Sequence, residues 1–94
     1  MTTGIEVRQV EEGRFDVVVR ERGGETRHAV TMDRDTFARL AGASAATPEA
    51  LIRAVFAFLL EREPKESILG RFDVTVVGRY FPEFDREIAA YIGR

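Results

Sequence analysis

The segment from Pro48 to Arg62 constrains this chain more than any other, because as a helix it is apolar on far more than one side. At about 100° per residue, Phe58, Leu51, Val55, Leu59, Ile52, Phe56 and Leu60 span an arc of roughly 200°. Ala50, Ala54 and Ala57 fill much of the remainder, and only Glu49, Arg53, Glu61 and Arg62 interrupt it. A helix on a one-sided sheet needs an apolar stripe only a little wider than about 100°. This one must be covered on more than one side. Either the sheet and a C-terminal helix sandwich it within one chain, or the excess arc meets a second copy, since permanent subunit interfaces resemble a core cut in half. In the second case Ile52, Phe56 and Leu60 are the candidate interface. The helix start is marked by the Thr47 hydroxyl, Pro48 at the first helical position and Glu49 at the positive end of the dipole.

Upstream, the periodicity is two rather than 3.6. Ile5 and Val7 alternate with Glu6 and Arg8, and Glu11-Glu12-Gly13-Arg14 reads as a turn. Phe15, Val17 and Val19 then share one face, with Arg14, Asp16, Val18, Arg20 and Arg22 opposite, and His28, Val30 and Met32 follow on one face, with Arg27, Ala29 and Thr31 opposite. Gly23-Gly24 between them is a two-residue hairpin signal, because both positions tolerate positive φ. The spacing predicts an antiparallel three-strand meander, apolar on one side and arginine-rich on the other. Asp33 can cap a short helix carrying Phe37, Leu40 and Ala41, which Gly42 ends. After the helix 48–62, Pro64 to Leu69 predicts another short helical turn. Phe72, Val74 and Val76 alternate with Asp73, Thr75 and Val77 and predict a fourth strand, broken by Gly78. Pro82 opens a last helix with the stripe Phe84, Ile88, Tyr91 and Ile92. The order β-β-β-α-α-β-α describes a single two-layer α+β domain over residues 1–94, with helices on one face of a largely antiparallel sheet.

Composition excludes several chemistries. The 94 residues contain no cysteine and one histidine. Disulfides, thiolate metal sites, iron–sulfur clusters, cysteine nucleophiles and multi-imidazole metal sites are therefore ruled out. No cofactor is implied: the glycines form neither a dinucleotide fingerprint nor a phosphate loop. Basic and acidic residues number 14 and 16, for a net charge of −2, so no bulk attraction to nucleic acid or to acidic membranes is expected. The longest apolar run, Ala54 to Leu60, is far short of the ~20 residues that span a bilayer. Met1-Thr2-Thr3-Gly4 carries neither the basic nor the apolar region of a signal peptide. The expectation is a cytoplasmic protein.

Four constellations invite functional readings. His28 is the one side chain that ordinarily titrates near neutrality, and it lies in phase with Val30 and Met32. It reads as a hydrogen-bonded strand histidine or as the acid–base group of a small enzyme, though no Ser/His/Asp arrangement supports catalysis. Arg14, Arg20, Arg22 and Arg27, with Arg8, lie in or near the outward strand phase and could follow a phosphate backbone. Interspersed Glu6, Asp16, Glu21 and Glu25 point instead to cross-strand ion pairs, and no outward aromatic offers a base-stacking platform. The run Glu61-Arg62-Glu63-Pro64-Lys65-Glu66 reads as a solvated connector, or as paired carboxylates if a cleft holds them. Tyr80-Phe81-Pro82-Glu83-Phe84 reads as a core plug at a helix entry, with Tyr80 available to reach a partner.

The stretch Phe58-Leu59-Leu60-Glu61-Arg62-Glu63-Pro64-Lys65-Glu66-Ser67-Ile68-Leu69, followed by Phe72-Asp73-Val74 and by Arg79-Tyr80-Phe81-Pro82-Glu83-Phe84, resembles a family of small uncharacterised prokaryotic proteins. The resemblance covers the second half of the chain and implies a short domain that stands alone. It transfers no catalytic or binding residue. The function expected from the residues is a non-enzymatic protein-interaction module. It would be a homodimer through the helix 48–62 or bind an unidentified protein partner. Nucleic-acid binding and a small enzyme using His28 are the alternatives.

Overall fold

Period-two alternation produces three consecutive strands in the computed structural model, which describes residues 3–93. Met1 and Thr2 of the Met1-Thr2-Thr3-Gly4 stretch lie outside the described residues. Strands β1 (Gly4–Glu11), β2 (Arg14–Glu21) and β3 (Gly24–Thr31) form an antiparallel meander. Val7 faces Val17 and Val17 faces His28, so one inward-facing row crosses all three strands. The β1–β2 register shifts between Gln9 and Glu11, leaving Val10 outside the ladder and 47% exposed.

The hairpin turn differs from the expectation by one residue. Glu21 pairs with Gly24, so the two central positions are Arg22 and Gly23, with φ of 55° and 78°. Gly24 begins β3 instead of sitting in the turn. The register that buries Val17, Val19 and Val30 fixes this pairing, and Arg22 accepts the left-handed conformation as a result.

Helix α1 (Arg34–Ala41) starts where the Asp33 carboxylate accepts from the Thr36 N–H at 2.8 Å, and it ends at Gly42 with φ 55°. Helix α2 (Pro48–Leu60) is capped by Thr47, whose hydroxyl accepts from the Ala50 N–H at 3.1 Å. It lies across the inner face of the sheet, and the C-terminal segments close over its other side. Leu51, Ile52, Val55, Phe56 and Phe58 are completely enclosed within the one chain. Aromatic edges complete the wrap: Phe81, Phe84 and Tyr91 all meet the Phe58 ring at centroid distances between 5.0 and 5.9 Å. The sandwich accounts for the over-wide apolar arc.

The fourth strand is shorter than its alternation predicts. Strand β4 covers only Arg71–Asp73 and joins the sheet beside β3 in parallel, giving the order β1-β2-β3-β4. At Asp73 the carboxylate accepts from the Thr75 N–H at 3.0 Å and from the Thr75 hydroxyl at 2.6 Å. That local capture turns the backbone into a 3-10 turn (Val74–Val76) and then helix α3 (Val77–Tyr80). The single last helix expected from Pro82 is two short pieces, α4 (Phe84–Glu87) and a 3-10 turn (Ile88–Tyr91), which still bury Phe84, Ile88 and Tyr91.

Candidate functional site

The helical turn that replaces the end of the fourth strand opens a cleft. Its floor is Leu59, Phe72 and Val77, and its rim is formed by Glu63, Leu69, Tyr80 and Phe81. It holds about 300 Å³, at the small end for a ligand site and suited to an anchoring side chain. Leu69 and Tyr80 stand at its lip, 49% and 68% exposed, and are two of the three large apolar side chains left in solvent among the described residues. The Glu63 carboxyl is half-buried there, and burial pushes its pKa above the ordinary carboxylate value. No cation among the described residues pairs with it.

Local sequence explains this placement. Pro64 prevents α2 from continuing and forces the chain out toward the 3-10 turn at Lys65–Ser67. Glu63 is left just beyond the C-terminal end of α2, its N–H bonded to the Leu59 carbonyl at 3.0 Å, where the dipole disfavours an acid. Its neighbours find partners instead. Arg62 donates to Glu83 at 3.0 Å, to Glu87 at 2.9 Å and to the Phe58 carbonyl at 3.1 Å. Lys65 is 6% exposed, beside Gly24 of the hairpin, and pairs with Glu66 at 2.7 Å. The connector is therefore not the solvated run that its charge density suggests. Both of its cations lie against the fold because their long stems cover apolar surface.

The four candidate interface residues separate. Ile52 and Phe56 have no exposed surface, and Phe56 packs against the rings of His28 at 5.2 Å and Phe72 at 5.9 Å. Leu60 is half-buried against the core. Tyr80 alone is open to a partner, and it lies at the cleft.

His28 is 4% exposed. Its Nδ1 lies 2.8 Å from the Leu69 carbonyl, which can only accept, so Nδ1 carries a proton. Its Nε2 lies 2.8 Å from the Thr26 hydroxyl. Both ring nitrogens are thus occupied, neither by a carboxylate, and the imidazole ties β3 to the chain segment leading into β4.

The arginine face is a lattice of ion pairs. Arg20 bonds Glu6 and, at 3.2 Å, Glu25; Arg27 meets Glu25 at 2.8 Å; Arg8 meets Asp16 at 3.4 Å; Arg14 meets Glu11 at 3.1 Å. Arg22 alone of the candidate nucleic-acid contacts has no carboxylate partner among the described residues, and it sits on the turn. These side chains are mostly solvated, so the pairs add little stability. They do neutralise the positive face that a phosphate backbone would need.

Reading the residues in order misses the cleft because it depends on where the fourth strand stops. The spacing of Asp73 and Thr75, a local side-chain cap, is the signal that could have found it. Among the described residues no three His, Asp or Glu side chains cluster as a metal ion would require, and no helix is long and apolar enough to cross a membrane. No family model, curated protein or solved structure matches the chain.

Proposed function

We propose that this chain is a non-enzymatic interaction module that receives, in the Glu63 cleft, a short segment of another protein carrying one large apolar side chain beside a Lys or Arg. The observation behind this reading is the combination at one rim of exposed Leu69 and Tyr80 with a half-buried carboxyl that meets no cation among the described residues. An apolar anchor would cover the first pair. A cation would stabilise the charged form of Glu63, which burial disfavours. Tyrosine and an enclosed charge are residue types that dominate binding energy when a partner desolvates them.

Selection of displayed random peptides against the intact protein tests the idea. Enriched peptides should pair a basic residue with an aromatic or leucine. Their affinity should fall about tenfold or more on Glu63→Gln and on Tyr80→Ala. Peptides without a basic residue, or binding that Glu63→Gln leaves unchanged, would sink this reading.

A further inference from the structure

One edge of the sheet is open. In a two-residue hairpin the flanking pair, here Glu21 and Gly24, exchanges backbone bonds, and that direction alternates along each strand. On β2, Phe15, Val17 and Val19 therefore bond toward β3, and Asp16, Val18 and Arg20 toward β1. Their partners Arg8, Glu6 and Gly4 point inward to β2. The N–H and C=O groups of Ile5, Val7 and Gln9 are left facing away from the sheet. Arg53 agrees with this, since its guanidinium reaches the Ile5 carbonyl from outside at 3.0 Å.

We infer that this edge of β1 pairs antiparallel with the same edge of a second copy, about a two-fold axis at Val7, joining two four-stranded sheets into one. Charge chooses the register. With the axis at Val7, Glu6 lies opposite Arg8 of the second copy, and Arg8 opposite its Glu6. Moving the axis to Glu6 or to Arg8 would set like charges face to face. With the axis at Val7, Val7 exchanges both backbone bonds with its copy, and Ile5 and Gln9 exchange theirs. The outer-face row then reads Asp16, Arg8, Glu6 across the junction, continuing the ion-pair ladder of each chain.

The edge lacks the features that usually block such pairing. Residues 4–9 contain no proline, no lysine and no inward charge, and the register shift falls only beyond Gln9. Arg53 need not leave, because a carbonyl accepts two bonds. Beneath the edge, Ile5, Ala50, Arg53 and Ala57 line a notch of about 310 Å³. The alanines keep that flank of α2 low, leaving room for the inward side chains of an added strand about 4.8 Å away. The proposal is independent of the Glu63 cleft, which involves none of these residues.

Sedimentation from about 10 μM to about 1 mM should move the native mass from 10.6 kDa toward twice that value. Glu6→Arg and Arg8→Glu should each lower the association constant about tenfold or more, and an equimolar mixture of the two variants should restore it. Amide exchange of the native protein needs no variant. Val7 should exchange at least about tenfold more slowly at the high concentration, while Glu6 and Arg8, already bonded to β2, should not change. A native mass that stays at 10.6 kDa, variants that associate as the native chain does, a mixture no stronger than its components, or a Val7 amide indifferent to concentration would each overturn the inference.

Discussion

The guanidinium carbon of Arg62 sits 3.6 Å from the centre of the Phe58 ring. The same plane of nitrogens bonds Glu83, Glu87 and the Tyr91 hydroxyl. One side chain thus clamps the C-terminal segments onto the end of the central helix. Arg62→Ala should cost about 2–4 kcal/mol, because it breaks the stack and leaves two half-buried carboxylates unanswered. Arg62→Lys should recover only part of this, since an ammonium cannot make the planar fork. Urea unfolding midpoints of the three proteins measure both.

Phe56→Ala should cost about 3–5 kcal/mol. The ring is enclosed by its own chain, between His28 and Phe72. The loss relative to the native protein should therefore be equal at low and high protein concentration, as melting curves over a hundredfold range would show. A penalty that shrinks on dilution would place Phe56 in an interface.

Arg22 holds φ at 55° in the hairpin turn, a conformation that costs a non-glycine residue about 1 kcal/mol. Arg22→Asn creates the Asn-Gly pair that such turns favour and should stabilise the fold by about 0.5–1 kcal/mol. Thermal or urea unfolding checks the sign; a less stable variant would show that the arginine makes a compensating contact.

Asp73 closes the fourth strand through Thr31 at 2.5 Å and through Thr75. Burial raises its pKa, but the hydrogen bonds from Thr31 and Thr75 outweigh that, and the net shift is downward. A carboxylate lowered on folding contributes stability that is present above its unfolded value of about 3.9 and is lost as pH falls through the folded value. Asp73→Ala should therefore cost about 1–2 kcal/mol at pH 7, and the difference from the native chain should shrink below pH ~4. Unfolding midpoints as a function of pH read it directly.

Glu63 has the opposite sign. Its folded pKa is raised by burial, so its favourable contribution is complete below the unfolded value of about 4.3 and is lost as pH rises through the folded one. Glu63→Gln should therefore melt higher than the native protein at pH 7, with the gap closing by pH ~3. Equal melting temperatures at neutral pH would mean that the carboxyl is better solvated than its position implies.

Local chemistry determined much of this protein without reference to any tertiary contact. Asp33 and Gly42 bound the first helix, Thr47 and Pro48 start the second, and period-two alternation builds the meander, because caps and side-chain phase act over a few residues. The apolar arc of residues 48–62 likewise required cover on two sides. What supplied that cover was decided by tertiary structure: Phe81, Phe84 and Tyr91 meet Phe58 from segments far along the chain, and no periodicity encodes which surfaces dock. The same holds for His28, whose proton is assigned by the Leu69 carbonyl, 41 residues away. Where the fourth strand ends was a contest between alternation, which favours extension through Val77, and the Asp73 carboxylate, which offers the backbone a turn. The turn prevailed because Thr31 of the neighbouring strand also holds that carboxylate in place, and the cleft at Glu63 follows from that outcome.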